Sequence, residues 1–494
     1  MDRDRPRRLA ARVALAWLLC CATVSGASLA DGSAAASPVR NASGYAQTYS
    51  TSGFIDTANP FFSSLGPNGR SCASCHVPAE NWTITPEGLR ARFDATAGTD
   101  PVFRPVDGAT SPDADVASLE ERRRAYALLL AKGLIRIGIG IPAAAQFELI
   151  AVDDPYGHAS AKELSLYRRP LPSTNLKFLS TVMWDGRNTL SDPHSLNCIV
   201  AAKHAPSAGA AGAECFAAIP AGLVAQANDA ALTHAQATAP LTAHQQASIL
   251  AFETSLFTAQ VIDDAAGSLS VAGGRGGPRQ LAGQDFYFGV NDALSGDYRS
   301  HHPFDARGFS LYAAWDRPAG YHRAPADDRR AVADRDAARA AVARGERLFD
   351  GKPIAISGVK GLNDALGIAV VRGTCTTCHD APNAGNHSVP LLVDLGLTDA
   401  SRRSPDLPLY TLRNRASGET VQTSDPGRAL ITGRWKDVAR FKPPVLHGLA
   451  GRAPYFHNGS AVDLNDVVDF YNTRFGIGFS ADEISDLVAF LRTL

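Results

Sequence analysis

A mainly α-helical, loop-rich chain built from two similar units is what the sequence predicts, on three observations. Apolar residues recur at helical spacing in four separated stretches, at 119–131, 242–257, 334–349 and 484–491. Gly and Pro number 43 and 30 among 494 residues, which favours long connections without making the chain low in complexity. The pattern Cys-x-x-Cys-His occurs twice, as Cys72-Ala-Ser-Cys75-His76 and as Cys375-Thr-Thr-Cys378-His379. About 0.003 chance matches are expected at this composition, so two are no accident. Two thiols three residues apart can add to the two vinyl groups of a haem, and the adjacent imidazole then lies against the iron as proximal ligand. A redox dithiol and half a zinc site are the competing readings. The repeated trailing His and an exported setting, argued next, disfavour both. The units are therefore expected to be two c-type cytochrome domains joined by a Gly/Pro-rich linker.

In chain order, residues 1–30 read as a signal peptide. Arg3, Arg5, Arg7, Arg8 and Arg12 give a basic start, an apolar run follows from Val13 to Val24, and small residues lead to Ala30. An uncleaved anchor is the alternative, but the run is short against ~30 Å of hydrocarbon. No later segment approaches the ~18 apolar residues of a span, so a periplasmic chain without an integral membrane segment is expected. Residues 31–262 form the first unit. It carries Asn68-Gly-Arg-Ser-Cys72, a Pro-rich loop from Gly98 to Pro112, and helices from Leu119 to Ala131 and from Thr242 to Phe257. Residues 263–333 shift to Gly, Pro, Arg and Asp and read as a linker with an insertion. Gly273, Gly274, Gly276 and Gly277 lack a Gly-Lys-Ser/Thr and a preceding strand, so they read as a flexible turn, not a phosphate cradle. Residues 334–494 form the second unit: a helix from Asp334 to Phe349, the second Cys pair, and a last helix opened by the capping box Ser480-Ala-Asp-Glu483.

Composition narrows the function. With 45% hydrophobic and 20% charged residues the chain can bury a core, which excludes disorder as its main state. A net charge of −1 gives no nucleic-acid footprint. Beyond the leader and the two pairs, Cys198 and Cys215 remain. A disulfide between them would close the Ala- and Gly-rich interval from Ala201 to Ala213 and contribute about 3 kcal/mol; a thiolate haem ligand is the alternative. Methionine is the usual ligand that raises a haem potential, yet only Met1 and Met183 occur. Met183 precedes Trp184 and reads as packing against the indole. No histidine lies between His76 and His158. The first iron therefore lacks a nearby second imidazole, and an open position, where peroxide or dioxygen can react, is expected there.

Beyond the leader, nearly the whole chain resembles the bacterial dihaem cytochrome c peroxidase and MauG superfamily. The likeness rests on the two Cys-x-x-Cys-His segments, Met183-Trp-Asp-Gly-Arg187, Gln226 to Gln236, Ala453-Pro-Tyr-Phe-His-Asn-Gly-Ser460 and Val467 to Asn472. The long first unit, with Gly98-Thr-Asp-Pro-Val-Phe-Arg-Pro-Val-Asp-Gly108, looks closest to the BthA-type dihaem enzymes. In the peroxidases a methionine ligates the second haem fourteen residues after the His of Pro-Tyr-Phe-His; here that place is Tyr471, as in MauG-like members. A phenolate is a hard, anionic donor that lowers the potential. The plain alternative is a half-buried helix tyrosine. Trp184 matches the tryptophan between the haems, an oxidisable relay, against the alternative of a core indole. Gln226 matches a distal Gln. Ten residues on, where the family has Glu, stands Gln236. An amide can only hydrogen-bond, so proton transfer would fall to His234 or to water. Both glutamines could equally be surface residues of an Ala-rich helix.

Other departures accompany that one. His447 stands where an Arg is usual, which leaves haem-propionate pairing open. Arg168-Arg169-Pro170 occupies the neighbourhood of an Asn that holds calcium in the family, which argues against bound calcium. The peroxidases that need reductive activation release a His from the first haem. None is available here, which implies a permanently open site, as in MauG.

The resemblance thus implies an exported oxidoreductase with two covalently bound haem c groups. Hydrogen peroxide would react at the iron over His76, and oxidising equivalents would be shared through Trp184 with an iron held by His379 and Tyr471. Electrons would come from a small redox protein or an oxidisable partner protein. MauG-like oxidation of a partner protein's residues and a non-catalytic periplasmic electron carrier are the alternatives. A dioxygenase acting on an apolar substrate is more remote.

Overall fold

The computed structural model describes residues 34–189, 209–316 and 329–494. The expected leader and the expected Cys198–Cys215 bridge lie outside what is described. Helices, short 3-10 turns and long loops are joined by four small antiparallel sheets among the described residues, which the helical periodicity did not foretell.

The described chain opens with sheet. Val39–Asn41 and Gly44–Ser50 form a hairpin, and Gly44–Ser50 alternates buried and half-exposed positions as it pairs with Leu256–Asp263. That partner strand takes over the end of an expected helix. Ala243–Ser255 is helical, opened by a capping box in which the Thr242 hydroxyl accepts from the Gln245 N–H (3.2 Å) and the Gln245 carbonyl from the Thr242 N–H (2.9 Å). It stops at Ser255 because the next residues, rich in aromatic and β-branched side chains, find a waiting edge. The expected helix from Leu119 to Ala131 also divides. Leu119–Ala125 and Ala127–Lys132 meet at Tyr126, whose buried ring packs 5.2 Å from Phe103.

The second half closes on a helix pair. Arg329–Gly351, which contains the expected 334–349 stretch, lies against Ala481–Leu491, and Val342, Phe349, Leu487 and Phe490 form their common core. Gly345 permits the approach: a Cβ there would fall 1.9 Å from the Asp486 carbonyl oxygen. The Ser480 capping box forms as expected. Ala266, Leu269, Phe309, Leu311, Tyr312 and Trp315, from the stretch read as a linker, belong to this same core. The glycines within it are packed turns. A Cβ on Gly274 would meet the Trp315 ring at 2.6 Å, and one on Gly276 the Tyr312 hydroxyl at 2.5 Å.

Three ties bring the two Cys-x-x-Cys-His segments onto neighbouring cavities. Phe147–Asp153 and Leu409–Asn414 pair in one sheet, with Thr420–Thr423 at its far edge. Buried Arg168 donates to Asp185 (2.6 Å) and, through two nitrogens, to Asp425 (2.7 and 2.9 Å). The Leu494 carbonyl accepts from the N–H groups of Gln260 (3.2 Å) and Gly448 (2.9 Å). Among the described residues no helix is long and apolar enough to cross a membrane.

Candidate haem cavities

Both segments fold by the same local device. Cys72–Ser74 and Cys375–Thr377 are single 3-10 turns. In each, a hydroxyl three residues on accepts from the backbone of the residue before the first Cys: Ser74 from Ser71 (3.0 Å), Thr377 from Thr374 (3.0 Å). The histidine N–H then donates to the carbonyl of the first Cys, at 2.9 Å for His76 and 3.2 Å for His379. One turn thus presents two thiols and an imidazole to a single cavity wall.

The imidazoles are prepared as ligands. His76 Nδ1 donates to the Trp82 carbonyl (3.1 Å) and His379 Nδ1 to the Gly385 carbonyl (2.5 Å), which leaves each Nε2 with its lone pair. Burial pushes both down to about 4, so they are neutral at ordinary pH. The four cysteines are not disulfide-bonded, and burial pushes Cys375 and Cys378 up to about 12 and Cys72 and Cys75 upward as well. Burial that disfavours the thiolate speaks against a reactive redox dithiol.

The cavities share a wall. Arg169, Pro170, Leu171, Pro172, Trp184, Lys442, Pro444 and Arg452 line both. Three of these are cations with no carboxylate within ion-pair distance among the described residues, and burial lowers all three, Lys442 to about 7 and the two arginines to about 10. Uncompensated buried charge is costly unless an anion stands there. Ser173 Oγ, Thr174 Oγ1 and Arg452 Nε, all on residues of the first cavity, are buried without a hydrogen-bond partner among the described residues. His457 Nε2 is the counterpart in the second. Haem propionates are the anions these orphaned groups fit, and the walls between are largely apolar, as a porphyrin requires. The residues present fit covalently attached haem c.

Trp184 is fixed where the walls meet. Its Nε1 donates to the Arg169 carbonyl (2.8 Å), and its ring stands edge-on to His457 at 6.2 Å. Asp185 beside it is fully buried. Burial alone would raise that carboxyl, but Arg187 and Arg168 outweigh it and hold it at about 2. Trp-Asp-Gly-Arg is thus a turn clamped by an ion-pair network that aims the indole. Met183, with φ of +60°, lines the first cavity.

The remaining expected residues separate. Gln226 and His234 line the first cavity with His76. Gln236 does not: it is exposed, and its carbonyl accepts from Asn68 Nδ2 (3.2 Å). Tyr471 lines the second cavity with Cys375, Cys378 and His379, its ring stacked near Phe475 and edge-on to Phe470, and burial raises its phenol. Its hydroxyl has no hydrogen-bond partner among the described residues. His447 lines neither cavity, and its Nε2 bonds to the Asn383 carbonyl.

Three groups escaped the sequence reading. Asp107, 4% exposed, accepts from His234 Nδ1 on one oxygen and from Arg70 Nη1 (2.5 Å) on the other. Burial pushes Asp107 up, but the His234 hydrogen bond and the Arg70 charge outweigh it and hold the carboxyl below its usual range. Arg70 is anchored in turn on the carbonyls of Pro101 (2.7 Å), Val102 (2.6 Å) and His234 (3.1 Å). Glu253 lines the same cavity, and burial raises it to about 8. Its signal was a carboxylate four residues after Ile249, inside an apolar stripe. Lys442, donating to the Thr181 carbonyl (2.6 Å), had no comparable signal.

No protein-family model matches the chain. It is similar to cytochrome-c peroxidase IdrP1 of Pseudomonas sp. (strain SCT), 30% identical over 187 residues, which are 34% of this chain and 43% of that one. It is 31% identical over 121 residues to cytochrome c551 peroxidase of Nitrosomonas europaea, covering 24% and 30% of the two chains. The match thus spans less than half the length of these curated relatives. A crystal structure of a MauG-like protein associated with microbial copper homeostasis aligns over 88% of this chain and 87% of its own, at 16% identity and a TM-score of 0.32, too distant to bear on function.

Proposed function

We propose that the protein is an exported dihaem c-type oxidoreductase that reduces hydrogen peroxide at the first cavity and draws electrons through the second. The observation that carries this reading is the shared wall: Trp184 and three uncompensated cations stand between two cavities that each hold a Cys-x-x-Cys-His turn. The similarity to cytochrome c peroxidases supports it independently. Bound haem would supply an iron that takes two electrons' worth of oxidation from peroxide, so that hydrogen peroxide, two electrons and two protons become two waters.

The chain's own residues do the rest. His234, held by Asp107 on Nδ1, presents Nε2 to the first cavity as a base that can take a proton from bound peroxide and return it to the leaving oxygen. Asp107 stabilises the imidazolium formed in between, as the carboxylate of a catalytic triad does. This dyad takes the place of the glutamate the family has. Gln226 orients the bound molecule by hydrogen bonding. Trp184 shortens the electron path between the cavities. Tyr471 and His379 would hold the second iron, and a phenolate there lowers its potential. That donor favours a second reading, oxidation of residues of a partner protein in the manner of MauG, over exchange with a high-potential donor.

The test is steady-state consumption of hydrogen peroxide by purified holoprotein with a reduced small c-type cytochrome as donor. Turnover that His234→Gln reduces at least tenfold supports the peroxidase reading. Peroxide consumption without oxidation of the small cytochrome supports the second. No reaction with peroxide rejects both and leaves an electron carrier.

A further inference from the structure

Away from both cavities, Asp292, Asp380 and His387 bring one ligand atom each to within 4.8 Å of one another. They are 3%, 0% and 2% exposed. No Lys or Arg pairs with either carboxylate among the described residues. The backbone already fixes them: Asp380 accepts from the N–H groups of Ser388 (2.6 Å) and Ala293 (3.0 Å), and Asp292 from Leu294 (3.1 Å) and the Ser295 hydroxyl. His387 Nδ1 lies 3.1 Å from the Val389 carbonyl and 3.3 Å from the Val389 N–H, so the ring stands where either tautomer finds a backbone partner, and the tautomer that donates from Nδ1 gives Nε2 the lone pair a metal needs. That Nε2 is buried and has no hydrogen-bond partner among the described residues.

The decisive distance is 3.4 Å, from His387 Nε2 to Asp380 Oδ2. A proton shared by imidazolium and carboxylate would draw the two atoms to about 2.7–2.9 Å. Two ligands of a tetrahedral ion, bonded at about 2.1 Å, stand about 3.4 Å apart. One nitrogen, two carboxylates and a dication also sum to no net charge, which suits a buried site.

We propose that Asp292, Asp380 and His387 bind a divalent first-row transition metal of the zinc class, with the fourth position left to water. The ion joins the loop around Asp292 to the segment 380–389. That segment carries the Gly385 carbonyl, which fixes His379. The site braces the proximal side of the second cavity, and the reading does not depend on peroxide chemistry.

The test begins with metal content of the holoprotein by plasma mass spectrometry, after growth with added Zn2+ and exhaustive dialysis. About one non-iron metal per chain is expected, and Zn2+ added to chelator-treated protein should raise Tm. Asp292→Asn and His387→Gln should each weaken Zn2+ binding at least tenfold while two irons per chain remain. If one variant fails to fold, the other decides, and if both fail, the wild-type stoichiometry and the Zn2+-dependent Tm decide. Wild-type protein with no bound metal and a Tm indifferent to Zn2+ overturns the proposal and leaves a His–Asp pair; equal response to Ca2+ and Zn2+ overturns the assignment of class.

Discussion

Replacing Asp107 by Asn should slow the reaction with hydrogen peroxide while leaving a folded protein. Asp107 binds two groups, so the substitution has two costs. Arg70 is 2% exposed and loses the one carboxylate it pairs with among the described residues, and removing one partner of a buried pair typically costs about 3–5 kcal/mol. Arg70 keeps three backbone carbonyls, which places the loss near the low end, about 3 kcal/mol. His234 keeps a neutral acceptor if the new amide turns its oxygen toward Nδ1, but that bond is about half as strong and does not stabilise an imidazolium. General acid–base catalysis contributes about 10²–10⁴-fold, so loss of the orienting charge should lower the rate about 10²-fold, or about 2.7 kcal/mol. Stopped-flow mixing of the resting protein with peroxide reads the rate, and urea unfolding reads the stability. The Asp107→Asn/His234→Gln double variant should be no slower than His234→Gln alone, because the pair acts as one unit. A folded, haem-loaded Asp107→Asn protein reacting within about twofold of the parent would refute the dyad.

Other predictions follow from single contacts. Glu253 is raised from 4.5 to about 8 by burial, so the native state binds the extra proton between those values; stability is full below pH 4.5 and falls as pH rises to about 8, by up to about 5 kcal/mol. Glu253→Gln should flatten that slope in urea melts recorded from pH 5 to 8, and an unchanged slope would assign it elsewhere. Gly345→Ala should force the two long helices apart at Asp486 and cost about 1–3 kcal/mol or more, read as a lower Tm; an unchanged Tm would show that the helices do not meet there. Trp184→Phe, which keeps a ring but loses the bond to the Arg169 carbonyl, should slow electron exchange between the two haems in flash-reduction experiments, and equal rates would reject the relay. Tyr471→Phe keeps the packing on Phe470 and Phe475 and should abolish the low-spin spectrum of one haem only.

What the sequence disclosed depended on how local the encoding was. Ser480 with Glu483, Thr242 and the two Cys-x-x-Cys-His turns are short-range patterns, and all could be read. Sheets were missed because their partners lie far apart: Gly44–Ser50 meets Leu256–Asp263 across some two hundred residues, and Phe147–Asp153 meets Leu409–Asn414 across more. The glycines at 274 and 276 looked flexible because nothing local announces Trp315 and Tyr312 lying on them. The same limit governed the site. His234 could be named from its spacing, whereas its partner Asp107 sits in a loop more than a hundred residues upstream and its meaning appears only once Arg70 and His234 converge on it. Gln236, two residues from His234, was favoured by spacing, yet it lies beyond Thr233, the last residue of the helix, and with φ of +55° it meets Asn68 instead.

The most direct measurement is low-temperature EPR of the resting diferric protein before and after one equivalent of hydrogen peroxide. One high-spin and one low-spin signal, both lost on adding peroxide, is the predicted result: an open iron over His76 coupled to a second, ligated by His379 and Tyr471. Two low-spin signals indifferent to peroxide would contradict it. They would mean that Met183 or another side chain caps the first iron and that the protein carries electrons without reducing peroxide.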